Sequence, residues 1–138
     1  MGRIRSIKPE FFQDEDLAEL SPLHRILFAG LWTEADREGR LEDRPKRLKA
    51  MLLPYDEADV DEMLQDLADH RTRFIQRYEV EGRRFILIPR FTKHQRPNSR
   101  ESTSVIPAPP EQAQAAPLSV LKALVSTHAR KARASCSV

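Results

Sequence analysis

The sequence predicts an α+β fold that is mostly helical, and two changes of pattern predict it. Apolar residues recur at helical spacing in segments up to His70, then alternate with a period of two from Arg73, and after Phe91 the periodicity is lost. Core helices, a β-hairpin and a flexible C-terminal tail are therefore expected in that order. The chain of 138 residues has room for one domain of roughly 100 residues and such a tail.

Taking the elements in turn, Phe11 and Phe12 are expected to anchor a short helix, Asp14 to Leu20, on the core. The strongest periodicity runs from Ser21 to about Arg37. Ser21 is a good N-cap, Pro22 suits the first helical position and Gly39 supplies a stop. Leu23, Ile26, Leu27, Gly30, Leu31 and Ala35 follow helical spacing, with Phe28 and Trp32 broadening the stripe, so this helix is expected at the centre of the core. Gly39-Arg40-Leu41 reads as one small strand. Asp43 and Pro45 announce a second helix, Arg44 to about Leu53, with Leu48, Met51 and Leu52 inward and Lys46, Arg47 and Lys49 outward. A third helix is expected from Glu57 to His70 on the stripe Val60, Met63, Leu64, Leu67 and Ala68. Two strands then flank Glu81-Gly82, a hairpin turn signal.

Helix, small strand, helix, helix and β-hairpin is the order of a winged helix-turn-helix domain: three core helices plus a hairpin wing with Arg83 and Arg84 at its tip. The expected domain spans residues 1–97 and starts with a basic arm. Residues 98–117 read as a Pro-rich flexible linker, and residues 118–138 as a short basic tail with a terminal helix over Leu118 to Val125.

Charge is distributed unevenly. The 23 Lys+Arg and 21 Asp+Glu leave a formal +2, but residues 54–70 hold seven acids and no Lys or Arg, whereas residues 71–100 hold nine basic residues against Glu79 and Glu81. The balance argues against a histone-like polycation and an acidic scaffold. No apolar run is long enough for a membrane span and no secretory signal is evident. The single cysteine, Cys136, cannot form an internal disulfide, so a cytoplasmic location is expected.

No constellation for catalysis stands out, and no enzymatic activity is expected. The four histidines are scattered, neither GxGxxG nor GxxxxGK is present, and no metal or cofactor is expected. Acids such as Asp14-Glu15-Asp16 and Glu42-Asp43 read as helix-end or solvent-facing groups, and Trp32 and the phenylalanines read as core. The basic groups suggest nucleic acid. Arg3, Arg5 and Lys8 read as a mobile arm that tracks phosphates or enters a minor groove, against the plainer reading of a solvated terminus. Arg44, Lys46, Arg47 and Lys49 lie on or beside the second helix within reach of phosphate oxygens, or else pair with the acidic third helix. Arg83 and Arg84, followed by Arg90, Lys93, His94 and Arg96, are the strongest candidates for backbone contact.

The third helix cuts against deep groove insertion. It holds the position of a recognition helix, yet its polar face shows Asp59, Glu62, Asp66 and Asp69, which phosphates repel. Either DNA binds through arm, second helix and wing, or this acidic face binds a protein.

Several stretches resemble a family of phage and prophage replication proteins with a DnaD-like, replisome-organiser N-terminal winged-helix domain. They are Arg3-Ile4-Arg5-Ser6-Ile7-Lys8-Pro9-Glu10-Phe11-Phe12, Leu31-Trp32, Ala35-Asp36-Arg37-Glu38-Gly39-Arg40-Leu41, Arg44-Pro45-Lys46-Arg47-Leu48-Lys49, Pro54-Tyr55-Asp56 and Phe91-Thr92-Lys93-His94-Gln95-Arg96-Pro97. The likeness covers residues 3–97. It implies a DNA-associated role in replication, origin binding or helicase recruitment, with duplex DNA, a helicase or its loader, and further copies of the chain as expected partners. Two features depart from it: only 38 residues follow Arg100, and Asp69-His70-Arg71-Thr72 lacks the glycine expected before the first wing strand. The alternative function is a protein-interaction module, a replisome adaptor or an inhibitor of a host nucleic-acid-binding complex, acting through the acidic third helix.

Overall fold

The computed structural model describes residues 2–110. They belong to two units, Met1–Pro107 and Ala108–Val138, and of the second only residues 108–110 are described. The terminal helix expected over Leu118 to Val125, like most of the expected tail, lies outside the described residues.

The first unit is α+β. Its elements are α1 (Glu10–Gln13), α2 (Glu15–Ala18), α3 (Pro22–Glu34), β1 (Arg40–Glu42), α4 (Pro45–Leu52), α5 (Val60–Asp69), β2 (Gln76–Val80), β3 (Arg83–Leu87) and α6 (Phe91–His94). Local chemistry sets the helix starts. The Asp14 carboxylate accepts from the amides of Asp16 and Leu17 to cap α2, and the Ser21 hydroxyl and His24 ring form a reciprocal capping box on α3. Pro45 occupies the first turn of α4, and Asp59 caps α5 by accepting from the Glu62 amide.

Helix α3 ends earlier than the sequence suggests, because Ala35 turns extended and the Asp36 carboxylate accepts from the Glu38 and Arg40 amides to close a turn. Gly39 serves that turn rather than the helix stop: its φ is +83°, and a Cβ there would lie 2.6 Å from the Phe91 Cβ. Two expected core residues are corrected. Ile26 and Met51 stand 53% and 47% exposed, because the buried line on α3 runs through Leu27 and Leu31, toward Ala35 just past its end, and that on α4 through Leu48. Asp43 does not announce α4 by capping it; its carboxylate is buried against Arg77.

The sheet is antiparallel, in the order β1-β3-β2, with Leu41 opposite Ile86 and Tyr78 opposite Phe85. Glu81 and Gly82 both take positive φ, 51° and 78°, at the hairpin tip. Where a glycine was expected before β2, Arg73 itself adopts the left-handed conformation at φ 54°. Strand alternation gives the sheet two faces. Leu41, Ile75 and Ile86 join the helical core with Leu27, Leu31, Leu64 and Leu67, while Tyr78, Phe85 and Leu87 form a second cluster with Val80 and Ile106.

That second cluster overturns the expected linker at its front. Residues 98–107 are a strap laid on the domain: Arg40 donates to the Ile106 carbonyl (2.8 Å), Tyr78 donates to the Pro107 carbonyl (2.8 Å), and the Ser104 hydroxyl donates to Asp36. The strap has no periodicity because side chains, not a ladder, hold it.

Candidate nucleic-acid interface

The basic residues singled out by sequence fall into three environments. The first is the N-terminal segment, which is docked rather than mobile. The Arg3 amide donates to the Thr33 carbonyl and its guanidinium to the Ala35 carbonyl, at 2.8 and 3.0 Å. Arg5 donates to the carbonyls of Trp32 and Ala35, pairs with Glu101 at 2.7 Å and lies over the Phe91 ring; its side chain is 4% exposed. The Arg5 guanidinium in turn holds the Glu101 carboxyl below its usual range. Arg5 is thus a strut between the end of α3 and the strap, because the α3 C-terminal carbonyls and a carboxylate 96 residues away consume its donors. The free phosphate-tracking arm expected from the sequence is corrected accordingly.

The second environment is a cleft between the starts of α4 and α5, closed by the β2–β3 hairpin. Arg44, Lys46, Arg47, Lys49 and Arg84 line it together with Asp59 and Asp61. Arg84 is placed there by strand alternation: Arg83 and Phe85 point to the strap side, where the Arg83 guanidinium stacks on Phe85 and reaches Glu42 at 3.1 Å. Arg44 approaches Glu42 only at 3.7 Å with its side chain 60% exposed, and the Lys49 ammonium donates to the Leu53 carbonyl at the end of α4. Lys46, Arg47 and Arg84 are exposed and have no side-chain ion pair or hydrogen bond among the described residues.

The third environment surrounds an aromatic-floored cavity on another side of the domain, where Lys8, Arg90 and His94 stand on the rim; Lys93 and Arg96 are exposed on or just after α6, whose His94 is part of that rim.

The acids of α5 are partly committed to internal bonds. Asp59 is the N-cap, Asp61 pairs with Arg77 at 2.7 Å, Asp66 meets the His24 ring at 2.9 Å and Asp69 accepts from Gln65. Glu62 is exposed in the first turn. Sequence reading missed Arg77, which forms a fork on Asp43 (2.7 and 2.9 Å) and also reaches Asp61 and Gln65, tying β2 to the segment ahead of α4 and to α5. Donating hydrogen bonds to the Asp43 carboxylate raises the Arg77 pKa against its desolvation and holds the guanidinium charged. Its partner lies 34 residues away, so no local pattern marks it.

A parallel knot joins α2 to the end of α5. Arg71 and His70 bind Glu19, and hydrogen bonding by Arg71 first, then His70, lowers the Glu19 pKa to about 2. Of the basic block at 71–100, Arg71, Arg77 and Arg83 are thus spent on internal pairs, and Arg77–Asp61 joins it to the acidic block. Among the described residues no group of three or more His, Cys, Asp or Glu is placed to hold a metal, and no helix is long and apolar enough to cross a membrane. No protein-family model, curated protein or solved structure matches the chain.

Proposed function

We propose that the chain is a non-enzymatic, DNA-binding winged-helix protein that grips the phosphate backbone of duplex DNA through the start of α4 and the wing. The observation that carries this reading is the convergence of Arg44, Lys46, Arg47 and Arg84 on one cleft, with little of their charge spent internally. Helix starts favour acids, because the first-turn amides leave a partial positive charge. Helix α4 has no acid in its first turn and carries Lys46 and Arg47 there, so stability does not explain the composition. Phosphate does, since it accepts from amides and cations together. The acidic surface of α5 sets a limit on this mode: DNA lies along α4 and the wing without deep insertion of α5.

The winged-helix reading rests on the order of helices, strands and hairpin and on the sheet order β1-β3-β2. The replication role rests on the likeness of residues 3–97 to phage replisome organisers. In such a role the module holds DNA while a helicase or its loader is brought in.

Fluorescence anisotropy with a random-sequence duplex at two salt concentrations tests the DNA reading. Binding is expected to weaken steeply with salt, with a slope of ~0.9 per phosphate neutralised. Absence of binding at low salt refutes it. The paired change Lys46→Glu and Arg47→Glu is expected to weaken binding to all sequences alike and to flatten the salt slope.

A further inference from the structure

On the side of α3 away from α4 there is a cavity of about 390 Å³, walled by the N-terminal segment, α3 and the 88–95 segment. Helical residues step by about 100°, so Phe28 and Trp32 lie nearly opposite Gly30 on α3. Gly30 faces α4, where an added Cβ would meet Leu52 at 2.9 Å, whereas Phe28 and Trp32 line the cavity. A ligand held here therefore leaves the DNA-facing cleft free, and the inference does not depend on the DNA reading.

The floor is aromatic. Phe11 and Trp32 meet edge to face at 5.2 Å, Trp32 and Phe28 at 5.5 Å, and Phe28 and Phe74 at 5.4 Å. Phe11, Phe28 and Trp32 remain only half-buried, so apolar surface is left facing the opening. The walls are fixed rather than collapsible: the Gln95 side chain exchanges two hydrogen bonds with the Ser6 backbone, at 2.8 and 2.9 Å, and locks the N-terminal segment onto α6. Such an apolar pocket with a few convergent polar groups is the usual form of a binding site.

The rim chooses the ligand. Lys8, Arg90 and His94 are exposed with no side-chain partner among the described residues, which suits a carboxylate. Glu10 and Asp14 stand on the same rim, and α2 adds Glu15 and Asp16 beyond it. A nucleic-acid strand, bearing a phosphate at every step, would run into these acids. A peptide with one or two charges would not. Arg90 holds its place at φ 64°, a backbone conformation glycine adopts freely and arginine at a cost.

We propose that this pocket is a docking site for a partner protein, taking a large aromatic side chain from an exposed peptide segment and holding a neighbouring Asp or Glu carboxylate with Lys8, Arg90 and His94. The protein then has two working faces, one for DNA and one for a partner.

Selection of a random dodecapeptide library against the full chain tests the proposal, followed by titration of the enriched peptide. Trp32, the single tryptophan in the chain, reports occupancy by its emission. The expected result is a consensus with an aromatic residue beside Asp or Glu, a peptide-dependent change in Trp32 emission, and at least tenfold weaker binding by both Lys8→Glu and Arg90→Gly. Arg90→Gly removes the cation while relieving the backbone, so its melting temperature should not fall and lost folding cannot mimic lost binding. Failure to enrich any peptide, a consensus without the acid or the aromatic, or unchanged affinity in Arg90→Gly overturns the proposal. So does displacement of the peptide by oligo-dT, which would make this a nucleobase site, or by a synthetic peptide of residues 111–138, which would make the occupant this chain's own segment.

Discussion

Helix α5 starts with Asp59 as its cap and Asp61 and Glu62 in its first turn, whereas α4, one loop earlier, starts with Arg44, Lys46 and Arg47 and no acid. Asp59, Asp61 and Glu62 are what a helix start requires: a side-chain acceptor for an orphan amide and negative charge at the positive end of the dipole. They need no partner outside the chain to account for them. The cations of α4 oppose the same dipole. A surface that runs against local stability is the better candidate for function. This contrast is why α4, not α5, is read as the working surface.

The largest effect expected from breaking the arrangement comes from Arg77, which lies between the two helix starts. Arg77→Ala strands the buried Asp43 carboxylate, and urea unfolding should show a loss of about 3–5 kcal/mol. A cost within 0.5 kcal/mol would mean that water reaches Asp43. The Lys46→Glu and Arg47→Glu pair sharpens the contrast because its two effects have opposite signs. Duplex affinity should fall about tenfold or more, while thermal stability holds or rises by a few tenths of a kcal/mol as the helix dipole gains complementary charge. A parallel loss of both would assign these cations a structural role. Asp59→Ala should do the reverse, costing about 1 kcal/mol through the lost cap while leaving DNA affinity unchanged or improved.

The strap offers the smallest test, through alkaline pH. Burial pushes the Tyr78 phenol up from its ordinary 10.0 to about 12, and the neutral hydroxyl donates to the Pro107 carbonyl. A folded pKa above the unfolded one means that this contribution is complete below the unfolded value, declines above pH 10 and is lost as pH rises through about 12. Tyr78→Phe should remove that stretch of the stability-against-pH curve, and tyrosinate absorbance should lose its late phase.

Much of the fold was legible in residues close together along the chain. The Ser21 N-cap, Pro45 at the start of α4 and the Glu81-Gly82 turn each act over at most four residues, and the apolar stripes of α3 and α5 mark their own buried faces, whereas the Asp59 cap, inside a helix expected from Glu57, was not read. The site was legible only in part. Arg5 and Lys46 look alike in the sequence as candidates for phosphate contact, yet Arg5 is enclosed against Glu101 and Lys46 stands free. Likewise Phe11, Phe28 and Trp32 were readable as core, but not as the floor of an open cavity.

The sequence by itself determined α3, α4 and α5, the hairpin and the basic start of α4, because capping and turn bonds join near neighbours and need no tertiary partner, but it did not mark the short α1 and α6. Tertiary structure alone decided which charges stay available. The partners that consume Arg5, Arg71 and Arg77 sit 96, 52 and 34 residues away, and only the folded chain brings them within hydrogen-bonding range.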